Sequence, residues 1–111
     1  MYKMEFKFNE QKIIEDGEYE LSEFYRVIRE AYKNHTLSEI KTTDGCLWFR
    51  DNGGEKDLGA LFAVVFALAK EEWFAKYIER LWYYDTDDED ENTDLIKMFK
   101  RDKRGAFADY C

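Results

Sequence analysis

The first residues of the chain alternate between apolar and polar side chains. The apolar positions are Tyr2, Met4, Phe6 and Phe8. A period of two is typical of a β-strand with one buried face, so residues 2–8 predict a strand. The apolar pair within residues 12–15 is bounded by polar residues on both sides and by Gly17, which predicts a short second strand.

A helical period follows. Ser22 can cap a helix that continues to about Asn34. The apolar positions recur at helical spacing and lie on one side: Leu21, Phe24, Tyr25, Ile28, Ala31, Tyr32 and His35. This pattern predicts an amphipathic helix with one buried face.

Residues 38–51 form two alternating runs around Asp44-Gly45, which is a strong signal for a β-hairpin. A two-residue turn fixes the register and predicts a core face made of Ile40, Thr42, Leu47 and Phe49. Trp48 then lies on the opposite face. There it is either buried by a second layer of helices or exposed as an aromatic anchor for a partner.

The longest stretch of helix-forming residues runs from Lys56 to Tyr84. Without a proline, these residues predict one helix about 43 Å long. Its apolar stripe changes side around Lys70 to Glu72, so either the chain bends there or a straight helix buries two different sides. Lys-Glu-Glu is a weak helix breaker, which favours a continuous helix.

Residues 94–104 predict a short helix that stops at Gly105. Packed against the second half of the long helix, it would complete a C-terminal helical hairpin with Asp85 to Asp94 as the loop at its tip. The predicted order is ββαββαα. The sequence thus predicts one α+β domain over residues 1–111, with a small antiparallel sheet of two hairpins covered by helices.

Composition supports a folded chain in the cytoplasm. Of the 111 residues, 45% are hydrophobic and 18% are aromatic, which is far from the composition of disordered chains. The first residues lack the basic and then apolar pattern of a secretory signal. The longest apolar run, Leu58 to Ala69, is shorter than the roughly 20 residues of a membrane span. Cys46 and Cys111 are expected to be free thiols.

The negative charge is concentrated in two segments. The formal net charge is −8, while residues 85–94 hold seven acids and no base, and residues 9–23 hold six acids and one base. These segments together carry more negative charge than the whole chain, so the remaining residues are weakly basic. The pattern predicts two local acidic patches.

The usual signatures of catalysis and metal binding are missing from the sequence. The acidic run does not fit a calcium loop, because Asp90 replaces the required glycine and Ile96 replaces the bidentate glutamate. His35 is the only histidine, so within one chain we expect neither a Ser-His-Asp or Cys-His catalytic arrangement nor a metal site with several histidines. Glu71, Glu72 and Glu79 could supply a carboxylate pair for acid–base chemistry, but charges on an amphipathic helix usually face water. We expect no cofactor or metal, and an enzyme is the least supported alternative.

The first functional hypothesis is a non-enzymatic interaction protein that binds a basic protein partner through its acidic loop. Carboxylates can take the place of phosphates, so it could act as an inhibitor or a nucleic-acid mimic; direct binding of nucleic acid is not expected, because the acidic patches repel its backbone. The expected partner-binding residues are Asp85, Asp87, Asp88, Glu89, Asp90, Glu91, Asp94, Trp48 and Trp82. Supporting charges are expected from Glu15, Asp16, Glu18 and Glu20.

The alternative hypothesis is a homo-oligomer, for example a homodimer. The predicted helical hairpin carries more aromatic side chains than its short second helix can cover. The uncovered aromatic surface would be the subunit interface, and the acidic run would keep the chain in solution.

Overall fold

The computed structural model describes residues 2–35, 37–42, 45–85 and 92–110. The elements are β1 Tyr2–Phe8, α1 Glu10–Asp16, α2 Leu21–Asn34, β2 Ser38–Ile40, β3 Leu47–Arg50, α3 Asp57–Leu68, α4 Glu72–Tyr77, β4 Ile78–Asp85, β5 Thr93–Asp94 and α5 Leu95–Arg101, followed by a 3-10 helix, Gly105–Tyr110. The strands form an antiparallel sheet in the order β2-β3-β1-β4-β5. The fold class is therefore α+β, as the sequence predicts.

Strand β1 lies at the centre of the sheet, between β3 and β4. The alternation of its sequence places Met4, Phe6 and Phe8 on one face, where each is at most 2% exposed. Helices pack on this face, since the ring of Phe8 contacts that of Phe24 in α2 and that of Phe74 in α4. The two edge strands, β2 and β5, have only three and two residues.

Phe74 joins the parts of the core. Its ring makes edge-to-face contacts with Phe6 at 6.2 Å, Phe8 at 5.8 Å and Phe107 at 6.3 Å between ring centroids. Pairs of this geometry contribute about 0.5–1.5 kcal/mol each beyond the burial of apolar area. The core therefore connects β1, α4 and the C-terminal 3-10 helix through one side chain.

Several predicted elements are confirmed. The strand over residues 2–8 is β1, the amphipathic helix is α2, and the short helix after residue 94 is α5. The predicted cap of α2 is one of the details that differ, because the helix begins at Leu21 and its N-cap position is Glu20. Among the helices of the described ranges, none combines the length and the apolar character that a bilayer crossing requires.

The predicted second strand over residues 12–15 is wrong, because these residues lie in helix α1. The Asn9 side chain accepts a hydrogen bond from the Lys12 backbone N–H at 3.2 Å and caps the start of the helix. Gly17 adopts a left-handed conformation with φ 65° and ends it. Asn at the N-cap and Gly at the C-terminal end are signals for a helix, and here they outweigh the short apolar pair that predicted a strand.

The predicted continuous helix from Lys56 to Tyr84 is also wrong. The chain forms α3, then α4, and then strand β4. Glu71 is extended, with φ −89° and ψ 127°, which separates the two helices at the place where the apolar stripe changes side. The predicted helical hairpin is therefore absent from the described residues. The element before α5 is the antiparallel pair of strands β4 and β5, and not the second half of a long helix.

The end of α3 is closed by the C-terminal segment. Once the helix ends, the carbonyl of Ala69 needs a new partner, and the Ala106 backbone N–H donates to it at 2.9 Å. Gly105 precedes this contact with φ 56°, and a Cβ there would stand 2.6 Å from the Ala69 carbonyl oxygen. The break between α3 and α4 thus depends on a glycine more than thirty residues away in sequence.

The hairpin of β2 and β3 is confirmed, but its register is shifted by one residue. Ile40 pairs with Trp48 and Glu39 pairs with Phe49, whereas a two-residue turn predicted that Ile40 would pair with Phe49. A shift of one residue moves every side chain of a strand to the other face. Leu47 and Phe49 are in the core as predicted, and Ile40 is not. The predicted turn lies partly outside the described residues.

We expect opposite effects from adding a methyl group at two glycines. Gly105→Ala should lower the free energy of unfolding by more than about 1 kcal/mol, because the backbone is left-handed and the site is occupied. Gly59→Ala in α3 should raise it by about 0.5–1 kcal/mol, because a Cβ there meets no atom within 4 Å. Urea unfolding followed by tryptophan fluorescence measures both, and a neutral Gly105→Ala would contradict the closure of α3 described above.

Candidate functional site

A groove of about 860 Å³ lies between α2 and α3. Its floor is apolar and consists of Val27, Ala31, Ala63, Val64, Ala67 and Leu68. Three of these are alanines, whose small side chains leave the space between the helices open. Val27 is 37% exposed in spite of its apolar side chain. Within the described ranges no other segment covers this surface, which is typical of a site for a ligand or partner.

The groove exists because both helices are apolar over more than the arc that faces the sheet. In α2, Phe24, Ile28 and Tyr32 are buried against the core, while Val27 and Ala31 lie on the flank, one position before a buried residue. Helix α3 is apolar on nearly all sides over residues 58–68. A helix of this kind requires cover on more than one side, and here one flank is open.

The two helices run in opposite directions. Near the end of α2, the Tyr32 hydroxyl donates to the Leu61 carbonyl in the first half of α3 at 3.1 Å. Near the start of α2, the ring of Phe24 lies 4.9 Å from that of Trp73, which follows the end of α3. One end of the groove is therefore formed by the start of α2, the end of α3 and Trp73.

That end of the groove is acidic. Its lining includes Glu18, Glu20, Glu23 and Glu71, and no lysine or arginine of the part of the chain that the structure describes lines the groove. Arg26 donates to Glu23 at 2.6 Å, and this hydrogen bond holds the pKa of the Glu23 carboxyl below its usual value. The described ion pairs include none made by Glu20 or Glu71. The opposite end is lined by Asn34 and His35.

A hydrogen bond between α1 and α4 holds the acidic end in place. The Tyr77 hydroxyl donates to the Asp16 carboxylate at 2.8 Å, and Lys76 lies 3.4 Å from the same carboxylate oxygen. The Tyr77 hydrogen bond, together with Lys76, lowers the pKa of Asp16. Since Glu18 and Glu20 follow Asp16 directly, this contact fixes the segment that carries them.

The four acids that the sequence predicts as supporting charges lie in two different environments. Glu18 and Glu20 line the groove, as described above. Asp16 is engaged with Tyr77, and Glu15 accepts a hydrogen bond from Gln11 at 3.0 Å within α1. Only two of the four are therefore placed to meet a ligand in the groove.

The other face of the sheet carries a cluster of aromatic rings. Tyr84 stacks on Trp48 with 5.3 Å between centroids and on Trp82 with 6.1 Å. The strand pairing aligns Trp48, Glu5, Trp82 and Asp94 in one row across the sheet, on the face opposite the helices. Trp48 and Trp82 are half-buried.

Glu5 lies at the centre of this cluster and is only 5% exposed. Its carboxylate accepts hydrogen bonds from Arg80 at 2.7 Å and from the Tyr84 hydroxyl at 2.9 Å. Burial, and then the hydrogen bond to Glu5, raise the pKa of Tyr84. The hydrogen bond to Glu5 also raises the pKa of Arg80. The buried carboxylate is thus satisfied by side chains of the neighbouring strand.

Cations surround the aromatic cluster. Lys3 pairs with Arg50 and with Tyr84, and Lys7 pairs with Arg80, so these side chains share the open face of the sheet. The Arg80 guanidinium lies over the Trp82 ring at 5.1 Å. The sheet face and the groove therefore differ in charge, and a basic partner matches the groove better.

The predicted partner-binding residues are brought together only in part. Trp48, Trp82 and Asp94 share the open sheet face, and Asp85 ends β4 opposite Tyr2. Asp94 also caps α5 by accepting a hydrogen bond from the Lys97 backbone N–H at 3.2 Å. The other predicted acids lie outside the described residues: Asp87, Asp88, Glu89, Asp90 and Glu91.

Glu71 and Glu79, two of the three carboxylates considered for acid–base chemistry, lie at different places in the fold. Glu71 lines the groove, whereas Glu79 lines a separate recess on the sheet face with Lys7 and Trp82. No group of three or more Cys, His, Asp or Glu side chains with the geometry of a metal site is found within the described ranges.

Sequence reasoning missed the groove. The helical period of the sequence places Phe24 and Ala31 on a buried helix face, because an apolar pattern does not distinguish a face that meets the core from one that is left open. The available signal was the excess of apolar positions: α2 and α3 together present more apolar arc than a single sheet face can cover.

We expect the Glu5 and Arg80 side chains to be energetically coupled. Arg80→Met should lower the free energy of unfolding by about 1–3 kcal/mol, because it takes a donor from a buried carboxylate. The double variant Glu5→Gln/Arg80→Met should lose less than the sum of the single variants. Urea unfolding measures the cycle.

The matched control is Arg26→Met, which removes an exposed ion pair with Glu23 and Glu30. This variant should change the free energy of unfolding by less than about 0.5 kcal/mol. Equal losses for Arg80→Met and Arg26→Met would show that the buried carboxylate does not depend on Arg80.

Comparison of the chain with models of protein families, with curated proteins and with solved structures finds no match in any of the three. The geometry and charge of the two surfaces are therefore the features that indicate a function.

Proposed function

We propose that this chain is a protein-binding module that holds a basic and partly apolar segment of another protein in the groove between α2 and α3. One observation carries the proposal. The groove combines an open apolar floor with four glutamates at one end, and none of the described residues that line it is a lysine or an arginine. These are the features that complement a segment with apolar and basic side chains.

The two parts of the groove have different roles in binding. Burial of the floor supplies affinity, at about 25 cal/mol for each Å² of apolar surface removed from water. The carboxylates supply selection and faster encounter, since opposite charges attract a partner over about 10 Å at moderate ionic strength. A basic segment that contacts nucleic acid elsewhere would be blocked while it occupies the groove, so the chain would then act as an inhibitor.

The acidic segment from Asp85 to Asp94 is proposed as a second contact for the same partner. It has the right charge, and its last residue, Asp94, pairs with Trp82. The sheet face itself carries Lys3, Lys7 and Arg50, which repel a basic protein. Trp82, which pairs with Asp94, is therefore proposed as a contact beside the acidic segment, whereas Trp48 lies in β3, on the other side of β1.

We expect an acidic side chain in the groove floor to abolish binding of a basic apolar segment. The probe is a synthetic peptide of about 16 residues, with leucines at helical spacing and lysines at its first turns. Val27→Asp should weaken its binding by about tenfold or more, since a carboxylate would have to be desolvated against the apolar floor. Fluorescence anisotropy of the labelled peptide measures the affinity.

Ile14→Asp is the matched control. Ile14 is an apolar residue of α1 that is 66% exposed and lies outside the groove lining. The substitution introduces the same charge, so it should leave the affinity within about twofold of the natural chain. If both variants bind the peptide as tightly as the natural chain does, the groove is not the binding site.

We expect the charge of the groove to matter more than that of the acidic segment. Glu20→Gln/Glu71→Gln should weaken peptide binding by about three- to tenfold at low salt and reduce its salt dependence. Amide substitutions at Asp87, Asp88, Glu89 and Asp90 should have a smaller effect. The opposite ranking would place the docking site in the acidic segment.

A second candidate function is self-association through the open sheet face, since Trp48, Trp82 and Tyr84 are half-buried there without a covering layer of helices. The short edge strands limit the face to roughly 20 by 20 Å, or about 400 Å² for each copy. Standard interfaces bury about 800 Å² on each partner. We therefore expect a monomeric mass by light scattering, whereas a dimer that Trp82→Ser dissociates would establish the second candidate.

A further inference from the structure

We infer that the groove binds its partner segment as an amphipathic α-helix, in one direction, with the N-terminal end of that helix at Glu18, Glu20, Glu23 and Glu71. This inference rests on the proposed function, and it adds the conformation, the orientation and the charge pattern of the partner.

The dimensions of the groove match a helix. Its lining follows one side of α2 from Glu20 to His35, which corresponds to about 24 Å at 1.5 Å per residue. A helix of about 16 residues has this length. Ala31, Ala63 and Ala67 in the floor allow a third helix to approach within the usual 8–10 Å between axes.

The walls of the groove exclude an extended segment. An extended chain on an apolar surface needs partners for its backbone N–H and C=O groups, and an exposed strand edge normally provides them. Here the walls are helices, whose backbone groups are bonded within each helix. A helical segment satisfies its own backbone, so it is the conformation that the groove can bury.

The charge of the groove sets the direction. The four glutamates lie at the end formed by the start of α2, the end of α3 and Trp73, and the other end has Asn34 and His35. The N-terminus of a helix carries about half a positive charge from the backbone dipole. If the N-terminal end of the bound helix lies at the glutamates, the positive end of its dipole attracts their carboxylates. Lysines in the first turns of that helix add to the attraction.

The same pattern gives a control on the peptide. Lysines near the N-terminus oppose the dipole of an isolated helix, so a peptide with this pattern is less helical in solution than its counterpart with lysines near the C-terminus. If affinity depended only on how helical the free peptide is, the peptide with C-terminal lysines would therefore bind more tightly. A preference of the groove for the N-terminal pattern cannot come from the helicity of the free peptide.

The test measures orientation directly. Trp73 stands at the acidic end, and the variant Trp48→Phe/Trp82→Phe leaves it as the only tryptophan. The N-terminal lysine peptide is prepared with a nitroxide at either end, because a nitroxide quenches tryptophan fluorescence only near contact. We expect strong quenching of Trp73 by the N-terminal label and little by the C-terminal label, which would lie about 20 Å away.

Two further peptides complete the test. A proline at the centre of the peptide should lower its affinity by about tenfold or more if the bound segment is helical, because proline breaks a helix interior. The counterpart with C-terminal lysines should bind several-fold more weakly. Anisotropy of each labelled peptide gives its affinity for the Trp48→Phe/Trp82→Phe variant, so that quenching by the two labels is compared at equal occupancy of the groove.

The outcomes separate this inference from the proposed function. Equal quenching by the two labels, or stronger quenching by the C-terminal one, overturns the orientation while binding stands. Unchanged affinity of the proline peptide overturns the helical conformation. If the lysine peptide does not bind at all, or if Val27→Asp leaves its affinity unchanged, the groove function itself is wrong.

Discussion

The backbone pairing of β4 with β1 is the interaction on which the rest of the structure depends. β4 pairs with β1 over its whole length, from Tyr2 opposite Asp85 to Phe8 opposite Ile78. Because successive side chains of β4 alternate between the two faces of the sheet, Leu81 lies in the core and Trp82 lies on the open face. Because the strand begins at Ile78, α4 must end at Tyr77, where it can reach α1. The aromatic cluster and the contact that holds the acidic end of the groove are therefore both consequences of one strand pairing.

The two faces of the sheet have become chemically different surfaces. The helix layer carries the groove with its glutamates, and the uncovered face carries lysine and arginine side chains around stacked rings. A net charge of −8 describes neither surface. Since charges are screened over about 10 Å, a partner responds to the local surface and not to the total. The acidity of the chain is for this reason informative only once it is located on the fold.

The sequence pattern correctly predicts those elements whose conformation depends mainly on their own residues. The period of two in residues 2–8 and the helical period of α2 are read correctly, since one buried face of each element fixes the pattern. Residues 78–85 were misread because their conformation is decided by pairing with β1, more than seventy residues away in sequence. The run Trp82-Tyr83-Tyr84 favours a strand, and that signal was outweighed by the helical period before it. The acidic character of the site was predictable, whereas the groove depends on how two helices share one sheet, which no local pattern contains.

The short edge strands limit how the protein can associate with other chains. β2 has three residues and β5 has two, so each edge of the sheet presents few backbone groups to an incoming strand. Long, flat edges are the usual templates for fibrous aggregation, and short ones protect against it. The sheet therefore resists lateral growth even though one of its faces is uncovered. A chain of this kind can leave apolar surface open for a partner without the hazard of polymerising through its strands.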